Sequence, residues 1–558
     1  MDAAPGVGGV VVVRYRVIED DGLIDEVLPE PPSPVRPASS AVGGASVVLD
    51  AAVLGFLALI ASLVLNTRAS IWFDEGATAS AAARSLPELV AMAQTVDAVH
   101  ATYYAVVHPW IALTGVSAWT LRAPSALFIA LATAGMVVLG RALATQAALS
   151  SARRFGLISG IVFLSLPVTS WAGTEARSTA LAVALTVWLT VVLLRAQRSV
   201  GRPAVAWWAL YAVLVCVTTA VFVYAVLVVL AHGLTLLLGG RGRAVCESWL
   251  AATVIGGLAV APLALLASGQ QGQVSWIPHL SGATVQSVVV QQWFRFSWGY
   301  ALLAWVIVIL VVVASARRAL AIRRVGWAAA AIGTWERPFP PLALGLCWLA
   351  LPTTGLLLLS AVESPTYLPR YVATSAPAVA LLIALGLTTV RPRALAAAGL
   401  VALLALGGLD WWQERGTTVK ESSPYSQVAA VLRASGHRGD AIDYVRDPGG
   451  IWSSRTMTVA YPDAVRGMTD LTLQRSAVAR DSLWESSVPL SDRLDLLADT
   501  SRVWYLADVG GTTGRRRGAA VPVPTTADWR SLTATGFTEQ DAWQIGQAHL
   551  YLLTRPRP

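Results

Sequence analysis

Residues 47–65 read Val47-Val48-Leu49-Asp50-Ala51-Ala52-Val53-Leu54-Gly55-Phe56-Leu57-Ala58-Leu59-Ile60-Ala61-Ser62-Leu63-Val64-Leu65, and the chain then turns to Ser70-Ile71-Trp72-Phe73-Asp74-Glu75-Gly76. An apolar run of this length matches the about 20 residues a helix needs to cross roughly 30 Å of hydrocarbon. The segment behind it places aromatic side chains suited to a membrane interface beside two carboxylates. Similar runs recur along the chain. Apolar stretches between charged or Pro/Gly punctuation predict about eleven transmembrane helices, at 47–66, 123–142, 155–171, 178–195, 204–218, 220–238, 248–267, 298–315, 341–360, 371–389 and 394–409.

Composition agrees. Of 558 residues, 55% are hydrophobic and 13% charged, which makes lipid the solvent for most of the chain. The net charge of +8 comes almost wholly from arginine, and no basic stripe with interleaved aromatics marks a nucleic-acid partner. Cys216, Cys246 and Cys347 fall in or beside apolar runs, without the paired spacing of a zinc site or a disulfide framework. Residues 1–45 carry Glu19-Asp20-Asp21 and Pro31-Pro32-Ser33-Pro34 and no evident cleavable signal peptide, and they are expected to form a disordered cytoplasmic tail.

Arginines in short loops are retained on the cytoplasmic side. They cluster in alternate loops: Arg153-Arg154; Arg195, Arg198 and Arg202; Arg241 and Arg243; Arg317, Arg318, Arg323, Arg324 and Arg337; Arg391 and Arg393. That alternation predicts a multi-pass plasma-membrane protein with a cytoplasmic N-terminus. It puts the loops at 67–122, 171–177, 268–297 and 361–370 outside, together with the C-terminal region. The expected organisation is a membrane module over 46–410, with a first outer loop at 67–122, and an extracytoplasmic α/β domain over 411–558. In that domain Ala441–Val445, Val503–Leu506 and Ala548–Leu553 read as strands, and Arg515-Arg516-Arg517 as a solvated loop.

The outer loops hold the candidate chemistry. The first is about 55 residues long, too long for a plain connector. A carboxylate near the membrane surface gains basicity from desolvation, so Asp74 is the first candidate for a general base, with the alternative that it caps a following helix. Glu75 stands beside it, to orient a reacting group or to pair with an arginine. Further on come Asp97, His100, Tyr103, Tyr104 and His108; at helical spacing His100, Tyr104 and His108 share one face, where they would bind a sugar by hydrogen bonding and ring stacking. A divalent cation held by Asp74, Glu75 and the histidines is an option that no compact ligand spacing demands. In the second outer loop Glu175 and Arg177 pair with each other or serve a polar site. Arg370 starts a helix, where it binds a phosphate or forms a structural pair with Glu363. Arg177 and Arg370 break the inside-positive pattern, which suits a lipid phosphate bound by guanidinium. Gln273 and Trp276 suit a saccharide and a headgroup, and Trp276 equally suits an aromatic belt.

These residues resemble the C-type (GT-C) membrane glycosyltransferases, the group that includes protein O-mannosyltransferases and the aminoarabinose transferase of lipid A. The resemblance rests on Trp72-Phe73-Asp74-Glu75, Asp97-Ala98-Val99-His100 with Tyr103-Tyr104 and His108, Leu121-Arg122-Ala123-Pro124-Ser125, Thr174-Glu175-Ala176-Arg177 and Pro369-Arg370-Tyr371, in order over about 47–390. Within the group the chain looks like the polyprenyl-phosphate-mannose-dependent mannosyltransferases of high-GC bacteria; many relatives carry His-Pro-Pro where this chain has His100-Ala101-Thr102. The resemblance implies inverting transfer of a sugar, mannose first and arabinose second, from a polyprenyl-phosphate donor to a cell-envelope glycan, glycolipid or protein. It makes Asp74 the base, with Glu75 beside it, and Arg177 and Arg370 the donor-phosphate ligands. Asp97, His100, Tyr103, Tyr104, His108, Glu175, Gln273, Trp276 and Tyr371 would contact sugar or acceptor. A transporter or lipid-linked sugar flippase is the alternative, weakened by spans nearly free of charge and by the absence of a visible repeat.

Overall fold

The computed structural model describes residues 40–325, 340–445, 454–508, 515–518 and 521–556. The expected tail lies outside the described residues up to position 39, and the first helix, α1, already runs from Ser40 to Leu63. Each apolar run singled out in the sequence falls on helix. Among the described residues nine helices are long and apolar enough to cross a membrane, or ten if the pair Ala152–Ser165 and Pro167–Gly173, bent by 68°, counts as one span. The bend sits where Leu166 turns extended ahead of Pro167, whose ring and missing N–H cannot continue a helix. The run at 220–238 is the exception to the expected eleven spans. Phe222 is extended, and the chain restarts as the shorter apolar helix Val223–Leu238.

The expected first outer loop is itself helical. It comprises α2 (Phe73–Ala82), α3 (Leu86–Thr95), α4 (Ala98–Thr114) and the first turn of the long helix α5 (Ala118–Gln146). Ser85 and Glu88 form a capping box on α3. Pairing of α5 with the helix Ala152–Ser165 depends on small residues that let backbones meet: a Cβ on Gly156 would stand 2.7 Å from the Val137 carbonyl oxygen.

Helix α5 carries a buried arginine at each end. Arg122 pairs with Glu75, while Arg141 binds Asp50 of α1, whose carboxylate also accepts from Arg153 at 2.9 and 3.0 Å. The two arginines are nineteen residues apart on one helix, about 28 Å along its axis, close to the roughly 30 Å of a hydrocarbon core.

The helix Arg393–Gln413 ends the bundle, and the C-terminal residues build a mixed sheet. Its strands are β1 (Ala441–Tyr444), β2 (Thr469–Asp470), β5 (Arg502–Asp508), β6 (Arg515–Arg517), β7 (Thr538–Ile545) and β8 (Ala548–Thr554), in the order β2-β1-β5-β8-β7-β6, and a small hairpin pairs β3 (Leu473–Arg475) with β4 (Ser486–Ser487). Strand β1 runs parallel to β2 and β5; the others pair antiparallel. Alternating residues split between two faces. Trp504, Leu506, Leu550 and Leu552 pack under the helix Tyr425–Ser435, and Val503, Tyr505, Tyr551 and Leu553 under Ala527–Ala534. The three strand-like runs of the sequence are β1, β5 and β8. The triple-arginine run is the edge strand β6 instead of a loop, with Arg517 paired to Asp541 at 2.6 Å.

Candidate active site

Helix α2 is ten residues of mostly small side chains, and its N-cap, Trp72, offers no side-chain hydrogen bond. A helix this short does not hold itself in water or at an interface. It is fixed from outside, first through Glu75. The Glu75 carboxylate and the Arg122 guanidinium are both fully buried and meet in a two-pronged pair, Nε to Oε1 at 2.7 Å and Nη2 to Oε2 at 2.5 Å. Arg122 also donates to the carbonyls of Asn66, Ala69 and Ser70, and the Ala176 N–H donates to Glu75 at 3.1 Å. Burial alone pushes the Glu75 pKa up, but Arg122 outweighs it and holds the carboxyl below its ordinary value. Glu75, through Arg122, therefore ties the 66–70 segment, α2, α5 and the 174–178 turn together. Expected beside the chemistry, it faces Arg122 because the residue after Asp74 on a helix points some 100° away.

Asp74 does not cap α2; it lies inside the first turn and turns outward. Its Oδ2 accepts from Arg370 at 3.0 Å and lies 3.9 Å from Arg177 Nε, while its carbonyl accepts from Arg177 at 3.3 Å. Burial pushes the Asp74 pKa up, yet the charges of Arg177 and Arg370 bring it below the ordinary carboxylate value. The raised basicity expected from desolvation alone is thus reversed by two guanidinium groups.

Behind Arg177, α4 supplies a chain of partners. Tyr104 donates to Asp97 at 2.5 Å and accepts from Arg177 at 3.3 Å, and His100 Nε2 accepts from Arg177 at 2.7 Å. That last bond requires a neutral ring protonated on Nδ1. Burial, then Arg177, brings the His100 pKa down to about 4. Gln273 and Gln270 bond the backbone N–H groups of Asp97 and Ala98 and so pin the start of α4, where Asp97 has a positive φ of 59°. His108, expected on the same face, leaves the group: its Nδ1 contacts the Ala82 carbonyl oxygen at 3.1 Å. Tyr103 is buried in the packing between α2 and α4.

A cavity of about 360 Å³ opens beside Asp74, lined among others by Glu175, Trp276, Arg295, Arg370 and Phe73. Arg370 is ringed by Trp72, Trp276 and Tyr371, each about 6 Å from its guanidinium carbon (6.0, 5.7 and 5.8 Å). Tyr371 in turn packs on Tyr224 at 5.4 Å. Glu175 is buried at the wall, and burial raises its pKa. Arg177 is not among the cavity residues.

Two cations of this site escaped the sequence reading. Arg295 lies in the left-handed region, with a φ of 54°, and its guanidinium stacks 3.5 Å over Trp171 while pairing with Glu414 at 3.1 Å. It lies in 268–297, one of the segments expected outside, where an arginine breaks the inside-positive pattern as Arg177 and Arg370 do. Lys420 is the single lysine of the chain. Its ammonium is buried 3.7 Å over the same Trp171 ring with no hydrogen-bond acceptor among the described residues, and burial brings its pKa down to about 8. Among the described residues no group of three His, Cys, Asp or Glu is placed to hold a metal ion. Asp74 and Glu75 diverge, and His100 is spent on Arg177.

The bundle, the three helices between its first two spans and the terminal sheet domain make this a chain with the fold of the C-type membrane glycosyltransferases. It is similar to ArnT from Cupriavidus metallidurans in the apo state, with a TM-score of 0.52 at 13% identity over 92% of this chain and 98% of that one. The same values hold for ArnT bound to undecaprenyl phosphate, 0.52 and 13% over 92% and 98%. The Archaeoglobus fulgidus oligosaccharyltransferase complex with Zn and sulfate gives a TM-score of 0.43 at 10% identity, over 83% of this chain and 68% of that one. No protein-family model matches the chain, and no curated protein matches its sequence.

Proposed function

We propose that the chain is an inverting glycosyltransferase that moves a sugar from a polyprenyl-phosphate donor to an acceptor hydroxyl on the outer face of the membrane. The observation that carries this reading is the Asp74–Arg370 pair at the wall of a cavity flanked by aromatic rings, in a fold shared with a protein crystallised with undecaprenyl phosphate. Asp74 is the base: it takes the acceptor hydroxyl proton as the oxygen attacks the anomeric carbon from the face opposite the lipid phosphate, which leaves with the electron pair of the broken bond. Arg370 receives the phosphate and stabilises the charge that develops on it.

The pair gives the reaction an order. With the cavity empty, Arg370 holds Asp74 ionised but weakly basic; a donor phosphate that takes over Arg370 removes one of the charges depressing the carboxylate, so the base strengthens once the donor is in place. Arg177, locked to His100 and Tyr104, keeps Asp74 ionised throughout and acts from behind it. Glu75 is a positioning residue here, through Arg122. Arg295 offers a second cation to the same cavity. Mannose is the leading sugar on the family resemblance, and the alternate-loop arginines support the outward orientation.

The test is incubation of the purified protein with radiolabelled polyprenyl-phosphate mannose, or the arabinose donor, and a cell-envelope glycan fraction. Label transferred to glycan by the wild type and not by Asp74→Asn supports the reading. Transfer that survives Asp74→Asn removes Asp74 as the base, and no transfer from either donor rejects the donor class.

A further inference from the structure

Helix α2 is gripped on a second side, by the C-terminal domain. The Phe73 ring stacks on Trp484 with centroids 4.4 Å apart and planes at 30°. The Ile71 N–H donates to the Tyr461 hydroxyl at 2.9 Å, Ser80 Oγ donates to the Leu483 carbonyl at 2.9 Å, and Arg84 donates to the carbonyl of Ser482. Thr95 at the end of α3 reaches the Asp481 carbonyl. The 481–485 turn is itself braced, since Arg480 donates to the carbonyls of Trp484 and Glu485 at 3.1 and 3.0 Å. At Gly76 the approach is so close that an added Cβ would overlap Thr456 Cγ2. The glycine that follows Asp74-Glu75 thus has a packing reason: only a residue without a side chain lets the helix Thr456–Ala460 lie against α2.

The position of these contacts matters more than their number. Glu75 and Arg122 fix one edge of α2 to the bundle, but Asp74 lies on the other edge, and Phe73, its neighbour, lines the cavity while resting on Trp484. A ten-residue helix without a side-chain cap follows whichever surfaces it packs on. A displacement of about 1 Å of a reacting group is enough to cost about 10²-fold in rate.

We propose that the C-terminal domain is part of the transfer site, with Trp484 a positioning residue that sets the Asp74 carboxylate against the cavity through Phe73. The inference rests on the proposed transfer for its activity arm and stands apart from it in its structural arm. Trp484 touches no reacting atom in this scheme, so its loss acts on turnover and spares the donor contact at Arg370.

In the radiolabel assay, Trp484→Ala is expected to lower kcat at least tenfold with donor KM within twofold of wild type, and Trp484→Phe, which keeps a stacking ring, to recover most of the loss. Gly76→Ala is expected to lower kcat similarly, and Gly76→Ala with Thr456→Ser, which deletes the methyl it meets, to recover it. Hydrogen–deuterium exchange is read on the same proteins: Trp484→Ala should speed exchange of the α2 amides at least tenfold while leaving α5 unchanged. Wild-type kcat in Trp484→Ala, or Gly76→Ala left unrescued by Thr456→Ser, overturns the proposal. If the wild type transfers no sugar, the proposed reaction fails while the exchange arm still decides the clamp, and unchanged α2 exchange overturns it.

Discussion

The Glu75–Arg122 pair permits a quantitative test of how α2 is held. Glu75→Gln keeps the shape and removes the charge, leaving Arg122 charged, fully buried and bonded only to neutral acceptors. Removing one partner of a buried ion pair costs about 3–5 kcal/mol, because the survivor stays desolvated without compensation. The amide oxygen and three carbonyls still accept from the guanidinium, so Glu75→Gln belongs at about 3 kcal/mol, roughly a hundredfold in the unfolding constant. Arg122→Met strands the carboxylate and also frees the carbonyls of Asn66, Ala69 and Ser70, which puts it at about 5 kcal/mol. The double variant buries neither charge and should cost less than the sum of the singles by about 1–3 kcal/mol. The assay is unfolding in mixed micelles titrated with denaturing detergent, read by fluorescence of the 22 tryptophans. A Glu75→Gln variant within about 0.5 kcal/mol of wild type, the range of an ordinary surface change, would refute the reasoning, and so would strict additivity of the two singles.

Other outcomes can be checked on the same protein. Asp74→Asn should lower kcat by about 10²–10⁴-fold, the usual contribution of a positioned base, with unfolding unchanged within about 1 kcal/mol; the radiolabel assay and the detergent titration read the two. Arg370→Ala should raise donor KM about 10- to 100-fold, as loss of a charge-assisted hydrogen bond does, whereas Arg177→Ala, off the cavity wall, should lower kcat with little change in donor KM; the two steady-state profiles distinguish them. His100 is held neutral by burial and by Arg177, with its pKa brought from 6.5 to about 4. Its share of stability is therefore complete above pH 6.5 and lost as pH falls toward 4, up to about 3 kcal/mol. Thermal midpoints across that window should fall more steeply for wild type than for His100→Gln, and parallel slopes would count against it.

Much of this molecule was legible in the sequence because lipid imposes a simple pattern. Every span announced itself as an apolar run, and the one misjudged length, at 220–238, failed where Phe222 adopts an extended backbone that hydropathy does not encode. Asp74, His100, Tyr104, Glu175, Arg370, Trp276 and Tyr371 do gather around one cavity or its back wall. The roles within the group were harder to read. Whether Asp74 or Glu75 faced the cavity turned on one helical step and on Arg122, forty-seven positions away. His108 sits two turns from His100 on the same helix, yet the packing of α4 against α2 directs it to the Ala82 carbonyl. Gln273 looked like a sugar ligand because a polar amide near aromatics fits one, and instead it accepts from the Asp97 N–H at the start of α4. The hold of the C-terminal domain on α2 joins residues about four hundred positions apart, and no periodicity reaches that far.

Lys420 gives the chain an unusual chemical address. A protease specific for lysyl bonds has one site among 558 residues, and it lies between the last membrane helix and the terminal sheet. Lys420 is only 1% exposed and packs over Trp171, a residue of the cavity wall, so cutting there requires that packing to open. Cleavage would sever the sheet domain from the bundle in one cut, so the rate of appearance of two fragments on a gel is a clock for opening of the wall. Ligands that fill the cavity should slow that clock.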